Sequence, residues 1–479
     1  MRSAQHAPAS TPTLGGAAAL RAVIEGGYCI GCGACVALPA SGIGVALGPY
    51  GRYVADLGGL QSNSLDSAAE VCPFTGVGPD EVALGTALFP EAGDPHPLLG
   101  RVLSAYAGYV LTGAYRSRGS SGGMVSWLLS ELLRSGEVDA VAHVRPGTGL
   151  LYQYSISRTP EEIRAGAKSK YYPVTMARVL PEIRSSGLRT AIVGVPCFIK
   201  AVRLLAATDR GYGRMIGPCV SLFCGHLKSA AFADLLAWQC GIPPGQLASF
   251  DFRVKLADRP ASQYAVRAEG EVDGRRIEAV HPVQPLFGSD WGLGFMKYQA
   301  CDYCDDLVGE TADISVGDAW LPEYVRDSEG TNVVIVRSPL LQDMVEAGCA
   351  SGQLHLDPLP TDRVAASQAG GFRHRRAGLA ARLANKQAHG VWAPPKRVAP
   401  EPHALRTREG RRALARERIA LRSHTAFQDA VEANELQVMR SALAQDIAEY
   451  RRLSRSAGPR LLARMYTTTR SFVRSLAHG

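Results

Sequence analysis

The spacing of cysteines near the start of the chain restricts the local fold more than any other feature of the sequence. Cys29-Ile-Gly-Cys32-Gly-Ala-Cys35 places three thiols on one tight loop, and its glycines allow the backbone to fold around an inorganic core. Cys72-Pro73 is the Cys-Pro pair that commonly ends such motifs. Because only one such run is present, we expect Cys29, Cys32, Cys35 and Cys72 to hold a single [4Fe–4S] cluster.

Two other interpretations of this motif are weaker. Structural zinc sites usually combine two C-x2-C units instead of three consecutive thiols. A disulfide is disfavoured because the three cysteines are crowded and the compartment is expected to be reducing. In addition, 11 cysteines in 479 residues are too few for a disulfide-stabilised scaffold. We therefore favour iron–sulfur over zinc.

Length and composition indicate a globular protein with several domains. At about 150 residues per domain, the chain allows roughly three domains. Hydrophobic residues make up 46% and charged residues 20%, which excludes a mainly disordered protein. No apolar run approaches the ~18 residues of a membrane-spanning helix, and the short stretch 15–20 is a weak candidate for a secretory signal. We expect a cytoplasmic protein with a flexible lead-in over residues 1–27.

Positive charge is concentrated at the C-terminal end. Residues 396–479 carry 17 Lys and Arg against 8 Asp and Glu, a net charge of +9, whereas the rest of the chain has −1. Packing of this tail on the body or on another subunit is favoured over a membrane surface. Nucleic-acid binding is disfavoured because aromatic residues are sparsely interleaved in the tail; beyond Phe427 they are Tyr450, Tyr466 and Phe472. Its apolar residues form a stripe at helical spacing: Phe427, Val431, Met439, Leu443, Ile447, Tyr450 and Leu453.

Between about residues 100 and 345, the pattern alternates between strands and helices, which predicts an α/β fold. Strands of the buried type are expected over 138–144, 189–195 and 215–223, and helices after residue 123, up to Leu205 and over 228–239. Segments 249–254 and 263–281 are typical of an antiparallel β insertion. Two short strands are expected over 314–316 and 332–337.

A second group of cysteines is scattered along this α/β region. Cys301-Asp-Tyr-Cys304 is another C-x2-C pair, while Cys197 and Cys224 each follow a predicted strand. Because strand ends on one edge of an α/β sheet converge on one crevice, these four thiols can meet and hold a second cluster. Each cysteine alone can equally be a small buried hydrophobic residue. That alternative is preferred for the remaining three, Cys219, Cys240 and Cys349.

Six segments, in this order along the chain, resemble the coenzyme F420 hydrogenase/dehydrogenase beta-subunit family. They cover roughly residues 100–345: Arg118-Gly-Ser-Ser-Gly-Gly-Met124, Lys168-Ser-Lys-Tyr171, Gly194-Val-Pro-Cys197, Leu222-Phe-Cys224, Cys301-Asp-Tyr-Cys304 and Ala312-Asp-Ile-Ser-Val-Gly-Asp318. The resemblance implies FAD and one or two [4Fe–4S] clusters. It also implies that Cys197, Cys224, Cys301 and Cys304 hold the cluster beside the flavin. Relatives often have Cys-His-Gly where this chain has Cys224-Gly225-His226.

The resemblance also suggests residues that contact the flavin. Ser120, Ser121, Gly122 and Gly123 stand at a helix N-terminus, where backbone N–H groups can bind a pyrophosphate; the alternative is an ordinary helix cap. No G-x-G-x-x-G motif with the right spacing is present.

Three further candidates follow from the same resemblance. The segment Lys168-Ser169-Lys170-Tyr171 combines cations and a ring that suit an anionic aromatic cofactor, although it can be an exposed loop. Asp318 can bind a ribose or the flavin edge, or merely form a turn. As proton donors to a substrate we consider His226, Tyr171 and Asp318.

The expected organisation follows from these features. An N-terminal ferredoxin-like [4Fe–4S] module spans 28–98, a central α/β flavin-binding oxidoreductase domain with a β insertion spans 99–395, and a basic helical tail spans 396–479. Two clusters and FAD would connect a one-electron carrier such as ferredoxin to a two-electron organic substrate, with coenzyme F420 or a tetrapyrrole as candidates. The alternatives are an electron-transfer subunit without a substrate site, whose tail docks on a partner, and a zinc-stabilised binding module.

Overall fold

A computed structural model describes residues 14–60 and 65–455 of the chain. The strands are β1 (Gly44–Gly48), β2 (Arg52–Asp56), β3 (Ser104–Val110), β4 (Ala140–Pro146), β5 (Tyr152–Ser157), β6 (Thr190–Gly194), β7 (Ile216–Leu222), β8 (Leu247–Val254), β9 (Ala265–Val272), β10 (Arg275–Pro282), β11 (Ile314–Asp318), β12 (Asn332–Val336) and β13 (Leu354–Pro358).

The helices up to the middle of the chain are α1 (Gly16–Glu25), α2 (Ala34–Ala37), α3 (Asp66–Glu70), α4 (Glu81–Leu88), α5 (Tyr115–Arg118), α6 (Met124–Arg134), α7 (Pro160–Ala165), α8 (Val179–Ser186), α9 (Pro196–Thr208), α10 (Arg210–Met215) and α11 (Ala231–Gln239). Those that follow are α12 (Pro322–Val325), α13 (Pro339–Ala350), α14 (Thr361–Ser367), α15 (Ala369–Arg375), α16 (Ala377–Ala388), α17 (Arg408–Glu432) and α18 (Leu436–Ser454). Short 3-10 helices occupy Gln299–Tyr303 and Pro402–Arg406.

The central feature is a mixed sheet of eight strands in the order β13-β3-β12-β11-β7-β6-β4-β5. The inner strands β11, β7, β6 and β4 are parallel, and antiparallel strands complete both sides. Every residue of β6 and β12 is buried, as expected for the continuous apolar runs of strands covered on both faces. The predicted α/β class is therefore confirmed.

The predicted β insertion is present as the three-stranded antiparallel sheet β10-β9-β8. Asp273 and Gly274 join β9 to β10 with φ angles of 50° and 72°, the pair of positive φ values that a tight two-residue hairpin turn requires. Phe250 and Phe252 of β8 are buried against Phe232 of α11. This packing joins the insertion to α11, the helix that follows β7.

The first residues of the described chain differ from the expected flexible lead-in over 1–27. Residues 16–25 form the helix α1, whose Leu20 and Val23 are buried in the core around the first cysteine loop. The backbone N–H of Ala17 also donates a hydrogen bond to the Asp66 carboxylate (2.8 Å). The small residues that suggested disorder are those of a closely packed helix, because Ala loses little side-chain entropy and has the highest helix propensity. Residues 1–13 lie outside the described part of the chain.

The N-terminal module and the α/β region share a hydrophobic core. Phe74 and Leu84, from the first expected module, belong to the same buried cluster as Phe198 and Leu204 of α9. The expected boundary between residues 98 and 99 therefore does not coincide with a gap in the packing, and the domain limits stay predictions.

The expected helices of the C-terminal region are present as α17 and α18. Phe427, Met439 and Leu443 are buried in the same cluster as Phe250 and Phe295, so both helices pack on the β insertion. Within the apolar stripe, Val431 is exposed. Residues 456–479, including Tyr466 and Phe472, lie outside the described residues. No helix in the described ranges has the length and apolar character needed to cross a bilayer.

Candidate functional site

The first four cysteines surround one small apolar pocket. Cys29, Cys32, Cys35 and Cys72 line it together with side chains of α1 and Phe74. Gly31 adopts φ = +63°, and a Cβ atom at this position would lie 2.3 Å from the Cβ of Tyr53 in β2. The loop therefore approaches β2 in a way that only glycine permits. The cysteine loop is thus folded compactly around the pocket, as predicted from its glycines.

Burial dominates the electrostatics of these thiols. It raises the pKa of all four, and that of Cys72 to about 12. The other thiols of the set raise the pKa of Cys35 further. Two backbone N–H groups, from Gly31 and Ala55, donate to the Cys29 sulfur over 3.4 and 3.3 Å. Burial therefore favours the neutral thiol form of these four cysteines, and a positively charged centre among them would favour their ionisation.

The second set of cysteines is also assembled by the fold. Cys197 opens α9 directly after β6, Cys224 follows β7, and Cys301 and Cys304 lie at the 3-10 helix Gln299–Tyr303. After burial, the thiols of the other three are the main influences that raise the pKa of Cys197. The convergence expected from strand order is therefore seen, whereas the role of these residues as ligands stays a prediction.

Polar groups of the protein surround this second set. The Leu227 N–H donates to the Cys301 sulfur (3.2 Å), and the Cys304 thiol donates to the Asp306 carbonyl oxygen (3.1 Å). Arg375 of α15, only 2% exposed, donates to the carbonyl oxygens of Cys224 (2.5 Å) and Gly225 (3.0 Å). Its guanidinium also lowers the pKa of the Cys304 thiol, against the stronger opposing effect of burial. The buried Arg375 guanidinium can therefore stabilise negatively charged sulfur atoms of the second set.

The two sets lie next to each other. The Cys32 thiol contributes to the raised pKa of Cys197. After burial, both thiols also raise the pKa of Tyr154 on β5, whose hydroxyl donates to the Val193 carbonyl oxygen of β6 (2.9 Å). The Tyr154 ring stacks on Phe198 with 6.2 Å between ring centroids. Across residues 14–60 and 65–455, no group of three or more His, Cys, Asp or Glu side chains has an arrangement that would hold a metal ion.

A cavity of about 680 Å³, here called the central cavity, opens beside the second set. Cys224 forms part of its wall, and all three candidate proton donors, Tyr171, His226 and Asp318, line it. Its other aromatic residues are Phe223, Tyr264, Trp291, Trp320 and Tyr450. Strand ends, the β insertion and the C-terminal helices all contribute, so the cavity lies where the topology of an α/β sheet predicts a ligand site.

Arg253, which the sequence analysis missed, organises one side of the central cavity. It extends from β8 and donates to the carboxylate of Asp318 (3.1 Å), the hydroxyl of Tyr171 (3.3 Å) and the carbonyl oxygen of Ser120 (3.2 Å). Its side chain is buried, and its Nε has no hydrogen-bond partner among the described residues. No signal in the sequence distinguishes this arginine from a solvent-facing residue of an edge strand.

His226 is buried in the cavity wall as a neutral imidazole. Burial, and next the charges of Lys228 and Arg416, hold the pKa of His226 well below its usual range. Its ring lies 4.4 Å from that of Trp291, and its Nε2 has no hydrogen-bond partner in the described part of the chain. His226 can therefore exchange a hydrogen bond with a ligand, although it does not carry a positive charge near neutral pH.

The residues expected to bind phosphate are mostly occupied within the protein. Ser121 donates to the Thr331 carbonyl oxygen (3.0 Å), and Asn332 caps α6 by accepting the Met124 N–H (3.2 Å). A Cβ at Gly122 would lie 2.7 Å from the Asn332 side-chain oxygen. Together with Gly123, these positions do not line the central cavity, whereas Ser120 lines a smaller pocket beside Arg253 and Lys255. The geometry here is that of a helix cap, supplied by a residue that sequence analysis missed.

The two lysines of the segment 168–171 also form their polar contacts within the protein. Lys168 pairs with Asp251 (2.5 Å), and Lys170 donates to main-chain carbonyl oxygens of its own turn. Burial lowers the pKa of Lys170 to about 7. The Ser169 N–H donates to the Ser120 hydroxyl (2.8 Å), so the two expected flavin segments touch. Of this segment, only Tyr171 lines the central cavity.

The fold and these sites define an α/β protein with two neighbouring groups of four thiols, the second of which borders an aromatic, arginine-rich cavity. Two family models match it, both of the coenzyme F420 hydrogenase/dehydrogenase beta subunit: the model of its N-terminal part over residues 105–181 and the model of its C-terminal part over 187–362. Together they cover just over half of the chain. The chain belongs to the coenzyme F420 hydrogenase/dehydrogenase beta-subunit family, which confirms the resemblance.

Curated relatives agree with this assignment at low sequence identity. One of the subunits of the F(420)H(2) dehydrogenase of Methanosarcina mazei is 22% identical over 241 residues, which are 50% of this chain and 62% of the relative. The beta subunit of the coenzyme F420 hydrogenase of Methanococcus voltae is 24% identical over 202 residues, 40% of this chain and 63% of the relative. The chain thus spans less than two thirds of each relative.

Among solved structures, one polypeptide of the F420-reducing [NiFe] hydrogenase complex from Methanosarcina barkeri has a TM-score of 0.45 and 17% identity. The match covers 58% of this chain and 92% of that one.

Proposed function

We propose that this chain is a flavin- and [4Fe–4S]-dependent oxidoreductase that moves electrons between a one-electron carrier, such as ferredoxin, and a two-electron organic substrate. The observation that carries the proposal is the position of Cys224. This residue belongs to the second thiol set and also lines the central cavity. A redox centre held by that set would therefore border the place where a flavin and a substrate can bind.

The donor sets fit iron–sulfur clusters. A [4Fe–4S] cluster binds four thiolates through four different irons, so its ligands need not converge on one point as around a single ion. This accords with the absence of a single-ion site in the described ranges. The N–H groups directed at Cys29 and Cys301 and the buried guanidinium of Arg375 are the kinds of groups that stabilise cluster sulfur. Cys32 and Cys197 would bring the two clusters next to each other.

The central cavity fits a flavin together with a substrate. Its volume falls within the range of small-molecule sites, and its rings suit a planar aromatic ligand. Three buried nitrogen atoms in its wall, Arg253 Nε, His226 Nε2 and Arg416 Nε, have no hydrogen-bond partner within the described residues. An unpaired buried polar group costs free energy, so a bound ligand that accepts these hydrogen bonds would be stabilised. Tyr171 and Asp318 are the expected flavin-contacting residues that reach this cavity.

The roles of the protein groups follow from their contacts. When bound, flavin supplies the exchange between single electrons and electron pairs. Arg253 holds the Asp318 carboxylate and the Tyr171 hydroxyl in fixed positions. Because the Tyr171 oxygen accepts a hydrogen bond from Arg253, its own proton remains available to the cavity. Tyr171 is therefore the preferred proton donor to the substrate during its reduction, and His226 would be a neutral hydrogen-bonding partner of the ligand.

Iron, sulfide, zinc and flavin analysis of anaerobically purified protein tests the proposal. We expect about eight iron atoms and one FAD per chain, as two four-iron clusters require. Cys32→Ser and Cys301→Ser should each remove about four iron atoms. Cys240→Ser, which changes a buried cysteine outside both sets, is the matched control and should remove none. Zinc without iron or flavin would refute the proposal and support the binding module.

A second candidate is an electron-transfer subunit without its own substrate. It is favoured by the names of the relatives, which are subunits of a dehydrogenase and a hydrogenase. Reduced ferredoxin should reduce the bound flavin in both cases. If neither coenzyme F420 nor a tetrapyrrole then reoxidises it, while an added partner subunit does, the second candidate is correct.

A further inference from the structure

Half of the residues that line the central cavity lie beyond the family models, between Ser367 and Tyr450. They come from the segment that runs from α14 to α18, of which the sequence analysis placed α14 to α16 in the oxidoreductase domain and α17 and α18 in the basic tail. Three of them are arginines, Arg373 on α15 and Arg412 and Arg416 on α17. We call these three residues the arginine wall.

The central cavity is strongly positive because of this wall. Five arginines line it against two carboxylates, Asp318 and Glu409. Asp318 is occupied by Arg253 at 3.1 Å, and Glu409 lies 3.5 Å from Arg412. The remaining cations are not neutralised by acidic side chains: in residues 14–60 and 65–455, neither Arg373 nor Arg416 lies within ion-pair distance of a carboxylate.

Arg416 is held rigidly in this position. One terminal nitrogen donates to His374 Nδ1 (2.8 Å) and the other to the Trp291 carbonyl oxygen (2.7 Å), while Nε is buried without a partner in the described chain. Burial lowers the pKa of Arg416 from its ordinary value, and the opposing effects of Asp302 and Tyr450 offset this only in part. A rigid, incompletely compensated guanidinium favours binding of an anion.

We propose that the arginine wall binds carboxylate or phosphate groups of the substrate, so that substrate recognition extends into the helices beyond the family models. The inference rests on the proposed function, because it assigns substrate contacts in that same cavity. The same anionic chemistry could come from the phosphates of the flavin. The substrate is favoured because Arg253, Tyr171, Asp318 and the second thiol set all lie within the family models, whereas the wall does not. Most groups that serve a shared cofactor are expected in the shared part of the chain, although Arg375, which lies beside Cys224, is outside it.

The test uses the anaerobically purified holoprotein and citrate, a small tricarboxylate, as the probe. Binding is followed by tryptophan fluorescence, since Trp291 and Trp320 line the cavity, and by calorimetry. Arg373→Gln and Arg412→Gln should each raise the Kd for citrate roughly ten-fold, as expected for loss of one charge-assisted hydrogen bond. Arg411→Gln is the matched control, because Arg411 is exposed, adjacent to Arg412 and absent from the cavity wall. It should change the Kd less than two-fold.

Flavin content, measured on the same samples, distinguishes the two sources of anion. Unchanged flavin with weakened citrate binding supports the proposal. Loss of flavin in Arg373→Gln and Arg412→Gln, but not in Arg411→Gln, would show that the wall holds the cofactor and would overturn it. Equal citrate binding in all four proteins, or none in the parent protein, would also overturn it. Absence of flavin from every protein, the parent included, contradicts the proposed function, while the citrate series still decides whether the wall binds anions.

Discussion

The ion pair between Lys200 and Glu81 joins the N-terminal module to α9, and its removal should weaken the whole fold. The Lys200 Nζ lies 3.0 Å from the Glu81 carboxylate, and the two side chains are only 10% and 7% exposed. Burial alone would lower the pKa of Lys200, but the Glu81 carboxylate outweighs this effect and raises it. Glu81→Gln leaves the ammonium group buried, with no other carboxylate within ion-pair distance in the described chain.

The magnitude follows from two limits. Breaking one partner of a buried pair costs about 3–5 kcal/mol. Alternatively, the buried Lys200 can lose its proton, and at pH 7 this costs about 4.6 kcal/mol relative to a pKa near 10.4 in the unfolded state. We therefore expect Glu81→Gln to lower the free energy of unfolding by about 3 kcal/mol at pH 7.

The pH dependence gives the sharper test. In the parent protein, the raised pKa of Lys200 contributes stability that is fully present below about pH 10.4 and is lost only as the pH rises through the folded pKa. In Glu81→Gln, burial places the folded pKa below the unfolded one, so the variant regains stability as the pH rises. Deprotonation of Lys200 costs only about 1.2 kcal/mol at pH 9.5. The deficit of the variant, meaning its loss in free energy of unfolding relative to the parent protein, should therefore shrink to about 1 kcal/mol.

Anaerobic urea unfolding of the parent protein and the variant, followed by tryptophan fluorescence at pH 7.0 and 9.5, measures both quantities. Glu91→Gln is the matched control, since Glu91 is exposed in the same module and forms no ion pair among the described residues. A deficit below about 0.5 kcal/mol at pH 7, the level of an exposed pair, or a deficit that does not change with pH, would refute the reasoning.

Three further predictions concern the sites. Gly31→Ala should reduce bound iron by about four atoms per chain, because the new Cβ would clash with β2. Gly58→Ala, which has a positive φ but open space around it, should leave the iron content unchanged. Equal iron content in both variants would contradict the close approach of the cysteine loop to β2. Cys197→Ser should remove about four iron atoms and Cys219→Ser none, and iron analysis that shows the reverse pattern would reassign the second set. Tyr171→Phe should slow reoxidation of the reduced flavin by substrate about 100-fold in stopped-flow measurements without changing flavin content; an unchanged rate would exclude Tyr171 as the proton donor.

Sequence patterns predicted the sheet and the meeting of the thiols well, because both depend on local regularities. Buried strands appear as continuous apolar runs, and parallel strands place whatever follows them at one edge of the sheet. Cys197 and Cys224 are brought to Cys301 and Cys304 for this reason. The lowered pKa of His226, by contrast, depends first on burial and then on the charges of Lys228, which belongs to no motif, and of Arg416, which is distant in sequence.

The parts that could not be predicted depend on packing between distant segments. Ser121 and Gly122 have the composition of a phosphate-binding turn, but Asn332, about 210 residues away, caps the helix instead. The arginines of α17 have the spacing of a solvated helix face, and nothing in their order shows that Arg416 lies against Trp291. In α1, composition suggested disorder where tertiary packing produces a helix.

The order in which the two thiol sets appear along the chain has a consequence for biosynthesis. All residues that line the pocket of the first set lie before position 75, so a ribosome releases them as one early segment. The second set is complete only after Cys304 has emerged, and Arg375, which lies over Cys224, comes later still. The two inorganic centres that we propose would therefore be installed at different stages of synthesis. A chain truncated between residues 75 and 300 would contain all four cysteines of the first set but not those of the second.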